Sequence, residues 1–397
     1  MPGSPTIVQV RALVPTTANA NTFGAPKHWI LNSKIASPMA KWPEYRLERQ
    51  SFGLDRLGSF AVEVECSDGS IGISSSLGGV PAAFLVDRHL SQFVEGKPLS
   101  REGIAVAWEQ MHKASLYYGR KGVALHALSA IDLAIWDALG RSQSTPVWGL
   151  LGARSPKPLP LYATTPRPDA ARDLGFVGGK LPLPAGPAEG ENGLRENVDL
   201  AQDMRQRCGD PKDFFLAWDC WMSLDVPYTL ELAEACRPLG MYFIEEHLPP
   251  DDYWGYAEVR RHLRGSTLTA TGEHEYTRWG FQLLLDMECA DILQPDVTWC
   301  GGLSELLIIG RMARERSVRI VPHASSVYSY HWLVSQPDSE FGEFVMFHPE
   351  GTEVTPMLAP LLVGEPLPEH GVVRLPQTPG FGVELNRQMT WARPYEH

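Results

Sequence analysis

The stretch Phe214–His247, FFLAWDCWMSLDVPYTLELAEACRPLGMYFIEEH, decides the fold. It opens on an apolar run that reaches Asp219, passes through a helix-like segment over Tyr228–Cys236, and closes on a second apolar run that reaches Glu245. Strand, helix and strand in that order make a parallel βαβ unit.

Outward from this unit the alternation repeats. Runs at Leu159–Thr164, Val177–Leu183, Phe214–Cys220, Met241–His247, Leu268–His274, Ala290–Asp296, Val318–Ser325 and Glu343–Pro349 read as strands, with helical stretches such as Trp279–Met287 and Leu303–Glu315 between them. Eight such strands over roughly 200 to 250 residues match the size of a (β/α)8 barrel. Upstream the pattern differs. Ile7–Leu13 reads as one strand, and Ala61–Cys66 with Ser70–Ser74 forms a hairpin around Ser67-Asp68-Gly69. Leu125, Leu128, Ile131, Ile135 and Ala138 then recur at helical steps, with Gly140 expected as the C-terminal cap. The expected fold is α/β: a modified (β/α)8 TIM-type barrel over residues 155–365, an N-terminal α+β capping domain over 1–140 with a three-stranded antiparallel sheet, and a Pro- and Gly-rich C-terminal segment over 366–397 that folds back on cap or barrel.

The chain has 397 residues, 44% hydrophobic and 21% charged, which excludes disordered and fibrous classes. Its net charge of -12 gives no basic stripe for a phosphate backbone, so nucleic acid is not an expected partner. The apolar window from Gly122 to Gly140 is interrupted by His126, Asp132 and Asp137, so no membrane span is expected. The start, MPGSPTIVQV, has no secretory pattern, and the expected compartment is the cytoplasm. The six cysteines are scattered without a C-x-x-C pair and are read as reduced, buried thiols.

Five of the strands run to a titratable residue: Asp219, Glu245, Glu273, Asp296 and His323. The intervals are 26, 28, 23 and 27 residues, about one βα unit each, so the five should converge at the C-terminal end of the barrel. For one Asp or Glu, helix capping is the simpler account. A whole series at this spacing exceeds what capping explains. Three converging carboxylates repel one another unless a cation lies between them, and all-oxygen ligation points to a hard metal, Mg2+ before Zn2+. With an anionic substrate further cations are needed at the mouth; His28, Arg49, Lys180 and His274 are the candidates, although for His28 and Arg49 charge reasoning alone favours surface solvation.

KHWI (Lys27–Ile30), IASPMAK (Ile35–Lys41), RQSFG (Arg49–Gly53), AWDCWMS (Ala217–Ser223), FIEEHLPP (Phe243–Pro250), TGEHE (Thr271–Glu275), QPDVTWCGG (Gln294–Gly302), VPHASSVYSYH (Val321–His331) and PGFGVELNR (Pro379–Arg387) carry a resemblance that runs nearly end to end. The chain resembles the enolase superfamily and, within it, the acid-sugar dehydratases. The resemblance implies Mg2+ on Asp219, Glu245 and Glu273, His323 as general acid/base, Asp296 as its orienting carboxylate, and His28, Arg49, His274 and Glu343 as substrate contacts. Glu246 is expected to point away from Glu245 and to be structural. Thr298 and Ala324 stand where the family usually has glycine, and Thr16–Pro26 lacks the expected Gly-rich, acidic loop, which leaves the exact sugar open.

The implied reaction removes a proton alpha to a carboxylate, stabilises the enediolate with the metal, and expels the β-hydroxyl as water. L-rhamnonate is the expected substrate, with L-mannonate or L-lyxonate as alternatives. Racemases of this superfamily typically present a K-x-K pair on the second strand. Here the segment reads Lys180-Leu181-Pro182, which favours one-base chemistry. A silent sugar-acid-binding homologue is the competing class, a nicotinamide dehydrogenase lacks its G-x-G-x-x-G, and a homo-oligomer is expected by the resemblance.

Overall fold

The structure, a computed structural model, describes residues 4–16, 28–31, 33–46, 53 and 56–395. The N-terminal part is an antiparallel meander of β1 (Ile7–Pro15), β2 (Ser59–Cys66) and β3 (Ile71–Leu77). The β2–β3 turn falls at the expected Ser67-Asp68-Gly69, with Gly69 N–H donating to the Cys66 carbonyl at 2.9 Å and Ser70 N–H to the Asp68 carboxylate at 3.1 Å. Helices α1 (Gly79–Leu85), α2 (Arg101–Ser115) and α3 (Val123–Ser142) follow, with α3 lying across β2 and β3.

By length and composition α3 could cross a bilayer, but 94% of its apolar window is buried inside the protein. Its two acids, which interrupt the apolar pattern in the sequence, serve as ties. Asp132 accepts from the backbone N–H of Ser304 at 2.9 Å, and Asp137 from those of Ile73 and Phe381 at 2.9 and 2.7 Å. The helix thereby joins the sheet, the barrel and the C-terminal segment. Gly140 does not cap it: α3 continues to Ser142, and a Cβ at position 140 would stand 2.7 Å from the backbone of Gly380. The glycine is required by that close approach of the tail.

After the single turn α4 (Val147–Leu150), eight parallel strands curl around a common interior: β4 (Leu159–Thr164), β5 (Gly178–Pro182), β6 (Phe215–Asp219), β7 (Met241–Glu245), β8 (Leu268–Thr271), β9 (Ile292–Leu293), β10 (Arg319–Ile320) and β11 (Gly342–Val345). Helices α5 (Pro168–Asp173), α6 (Gly190–Cys208), α7 (Val226–Cys236), α8 (Tyr253–Leu263), α9 (Thr277–Asp286), α10 (Gly302–Glu315) and α11 (Val327–Ser335) connect successive strands. Among the described residues no helix follows the eighth strand, so the barrel is modified at this unit. Its ladders run β10-β9-β8-β7-β6-β5-β4-β11. Among the described residues no ladder joins β10 to β11; the Ala324 N–H instead donates to the Glu343 carboxylate across the seam at 3.0 Å.

Short strands follow: β12 (Leu362–Val363), β13 (Val372–Val373), β14 (Glu384–Leu385) and β15 (Trp391–Ala392). β13 pairs antiparallel with β4, β14 with β12, and β15 with β1 at Val14↔Ala392. All six cysteines are buried free thiols.

Alternation along a strand explains what the barrel encloses. Tyr162, Ala217, Phe243, Ala270, Ile292 and Val321 form an interior cluster, sealed at the base by Phe215, Tyr242 and Phe341. Two residues further along, the same rows become Thr164, Asp219, Glu245, Gln294 and His323, while Phe341 gives way to Glu343.

Candidate active site

These second-row residues line or underlie a cavity of about 370 Å3 at the C-terminal end of the strands. His28, Lys180, Asp219, Glu273, His274, Asp296, His323 and Glu343 reach its wall. Arg49 lies outside the described residues. Glu245 is not in the wall: it is fully buried beneath it, accepting from the Gln294 amide at 2.5 Å and paired with the Lys180 ammonium.

Asp296 and Thr298 sit on the turn that follows β9. One oxygen of Asp296 accepts from both the N–H and the hydroxyl of Thr298, each at 2.6 Å; the other accepts from His323 Nδ1 at 2.6 Å. A carboxylate can only accept, so Nδ1 carries the proton and Nε2 faces the Glu273 carboxylate at 3.5 Å. The threonine at position 298 thus has a use, and Ala324 supplies the backbone donor to Glu343.

Glu273 and His274 come just after β8, where Gly272 takes φ +123° and breaks the ladder, so both side chains turn into the cavity. Glu246 corrects the expectation from strand alternation. It takes φ +42° beyond the end of β7, where alternation no longer governs direction, and it accepts from His274 Nδ1 at 2.8 Å and from the His274 N–H at 3.2 Å. A second histidine–carboxylate pair therefore stands beside the first, with His274 in the wall and Glu246 buried behind it. One oxygen or nitrogen from each of Glu246, Glu273 and His274 lies within 4.8 Å of the others.

Lys180 was expected to contact substrate. It reaches the cavity wall, and its ammonium is paired with Asp219 at 3.4 Å, Glu343 at 2.9 Å and Glu245, with the residue 1% exposed. The three acids hold it protonated against its burial. The roof comes from the N-terminal part: the indole N–H of Trp29 donates to the Met346 carbonyl at 2.8 Å, Ala36 N–H to the Leu183 carbonyl at 2.7 Å, and buried His28 meets Phe347 edge-on at 5.1 Å.

Burial leads the carboxyl shifts. It raises Asp219, holds Glu245 well above the ordinary carboxylate range, and brings Glu273 to about 7. The histidines move up despite burial. The charges of Glu246 and Glu273 bring His274 to about 9, and Glu273, Asp296 and Glu343 keep His323 well above its usual value. Lys180 is the sole lysine or arginine in the wall among the described residues. Buried oxygen donors with so little fixed positive charge among them suit a hard divalent cation, and Asp219, Glu245 and Glu273 could hold it.

Sequence reasoning passed over Gln294, Thr164 and Trp299, and misjudged Glu246. Thr164 donates to Glu343 at 2.5 Å, and Trp299 lies in the wall against both histidines. For Gln294 the signal was present: it stands two residues before Asp296, on the same face of the expected strand Ala290–Asp296.

Two family models match the chain: the mandelate racemase / muconate lactonizing enzyme N-terminal domain over residues 54–152 and the enolase C-terminal domain-like family over 169–389. The L-rhamnonate dehydratase of Saccharopolyspora erythraea is 50% identical over 392 residues, 98% of this chain and 99% of the relative. The crystal structure of rhamnonate dehydratase from Gibberella zeae complexed with Mg is 40% identical, with a TM-score of 0.91 over 97% of this chain and 95% of the other. A racemase from Streptomyces coelicolor A3(2) with bound magnesium is 25% identical, with a TM-score of 0.74 over 96% and 98%. Family models over both halves and a full-length relative at this identity settle the family: the chain belongs to the enolase superfamily, in its mandelate racemase / muconate lactonizing enzyme branch.

Proposed function

We propose that the chain is an Mg2+-dependent hydro-lyase that converts L-rhamnonate to 2-keto-3-deoxy-L-rhamnonate and water. The observation that carries this reading is the Asp296–His323 pair, which leaves Nε2 directed across the cavity toward the acidic wall at Glu273. The relatives named L-rhamnonate dehydratase over nearly the whole chain support the substrate.

In this reading Asp219, Glu245 and Glu273 hold the metal. When bound, it supplies Lewis-acid stabilisation of the second negative charge that develops on the substrate carboxylate. His323 Nε2 takes the proton alpha to that carboxylate, and Asp296 keeps the other nitrogen protonated and stabilises the imidazolium. The C–O bond to the β-hydroxyl then breaks, His323 returns its proton to the departing oxygen, and water leaves on the face from which the proton was taken. The enol tautomerises to the keto acid. His28, Arg49, His274, Lys180 and Glu343 position the substrate or the acids around it.

One-base chemistry is supported by strand β5. Lys180 is engaged by three carboxylates, and the position two residues on, where a second base would stand, is Pro182. The same proposal includes a cap over 1–140, a barrel over 155–365 and a returning tail over 366–397, in a cytoplasmic homo-oligomer.

The test is a panel of acid sugars incubated with purified enzyme and Mg2+, with 2-keto-3-deoxy product detected by semicarbazide. Turnover concentrated on L-rhamnonate supports the proposal. Preference for L-mannonate, L-lyxonate or another acid overturns the substrate and keeps the reaction; no turnover of any acid sugar leaves a silent binding protein.

A further inference from the structure

Trp299 touches both cavity histidines. Its ring centroid lies 5.6 Å from that of His323, with the planes at 33°, and 5.5 Å from that of His274, at 47°. It belongs to the turn that begins at Asp296, whose carbonyl accepts from the Trp299 N–H at 3.0 Å and the Cys300 N–H at 2.8 Å. One turn therefore carries the carboxylate that holds His323 by its edge and the indole that meets its ring. Each histidine already has a carboxylate on Nδ1, but a single hydrogen bond leaves rotation about its own axis open. A ring contact restricts that rotation.

The indole is itself braced from the N-terminal part. His126 of α3 stacks on Trp299 at 5.2 Å with the planes 3° apart. Its Nδ1 lies 3.0 Å from the Leu77 carbonyl, which can only accept, so Nδ1 carries the proton; Nε2, 3.1 Å from the Tyr276 hydroxyl, accepts. Burial holds this imidazole neutral, its pKa lowered to about 4. Tyr276 ends the loop that bears Glu273 and His274. The adjacent Glu275 pairs with Lys121, which also binds Asp251 at 2.9 Å.

We propose that Trp299 is a positioning residue that sets the ring planes of His323 and His274 together, and that His126 braces it so that the cap helix takes part in aligning the base. The inference rests on the proposed dehydration for its kinetic arm only.

The test compares Trp299→Leu, Trp299→Phe and His126→Ala in the full-length protein. Misplacing a catalytic group by about 1 Å costs on the order of 100-fold. Trp299→Leu should therefore lower kcat about 100-fold with KM changed less than about threefold, while Trp299→Phe, which keeps a flat ring, recovers most of that loss. His126→Ala should lower kcat about tenfold. Independently of any substrate, the 15N ring signals of His323 and His274 should both move in Trp299→Leu. Unchanged kcat, a change confined to KM, or unmoved ring signals overturns the proposal. If Trp299→Leu does not fold, the same criteria apply to His126→Ala. Should wild-type protein turn over no acid sugar, the functional reading fails, and the ring signals alone decide the positioning role.

Discussion

The two ends of the barrel are built by the same strands and have opposite chemistry. At the base Phe215, Tyr242 and Phe341 close on one another, with Phe215 4.8 Å from Tyr242 and 5.5 Å from Phe341 between ring centroids, over a floor of Phe243, Ala270 and Ile292. At the mouth, two to four residues later along the same strands or just past their ends, the groups are Asp219, Glu245, Gln294, His323 and Glu343. The difference teaches that a few residues separate stability from chemistry: the base gains from apolar burial, and the mouth spends part of that gain to keep charges out of water.

The sharpest way to break the comparison is at the mouth. His323→Asn should lower turnover by at least about 1000-fold, with metal binding and the thermal unfolding midpoint nearly unchanged. Steady-state kinetics and calorimetry on one sample check both halves, and retained turnover removes His323 from the mechanism.

The mirror experiment is at the base. Phe243→Ala opens a cavity beneath Glu245 and should cost about 3 kcal/mol in urea unfolding. Activity per folded molecule should fall far less than in His323→Asn. Equal losses would mean that the two ends are not separable.

A pH series tests the electrostatic half. In metal-free protein Glu273 is raised to about 7, so its stabilising contribution is complete below the ordinary carboxylate range and is lost as pH rises through 7. His274, at about 9, and His323 are raised as well and lose their contributions in the same direction. Glu246 and Glu343 are lowered, and their window lies below the ordinary range. Asp219 and Glu245, raised by burial, act in the same direction as Glu273, so metal-free protein should lose stability steadily between pH 5 and 8. Mg2+ at about 100 times its Kd should restore roughly 2.7 kcal/mol at pH 8. Phe243→Ala should show the same slope; a slope tied to the base variant instead would place the strain elsewhere.

The smallest effect is expected at the roof. His28→Gln should raise KM for the preferred acid sugar by a few-fold, about 1 kcal/mol, with Mg2+ dependence unaltered. An altered metal dependence would move His28 from the substrate side to the metal side.

The sequence made the strand rows and their terminal residues readable because a period of two and a spacing of one βα unit are local signals. Each expected strand overlaps an observed one, although Ala290–Asp296 and Val318–Ser325 shrink to Ile292–Leu293 and Arg319–Ile320, where the chain leaves the ladder to form the cavity wall. The seam between β10 and β11 and the role of Gly140 were not readable, since each depends on what a distant segment brings to the contact. Glu246 was misread for a related reason: the alternation rule holds only inside the strand, and the left-handed backbone after β7 is set by tertiary structure. Lys180 was recognised as a cation near the mouth, but that three carboxylates enclose it required the folded arrangement.

The pairing of β15 with β1 joins Val14 to Ala392. The rest of that edge is closed from nearby: Ile7 N–H donates to the Lys97 carbonyl at 2.9 Å, and Val10 and Ala12 N–H donate to the side chains of Glu95 and Asp87 at 3.0 and 2.8 Å. Charged side chains therefore guard the middle of an edge that would otherwise invite β-addition by another chain, and the returning segment is left to close only Val14 and Pro15. Removing Trp391 and Ala392 would consequently be felt at Val14 and Pro15, far away in sequence, and would leave the middle of the edge guarded.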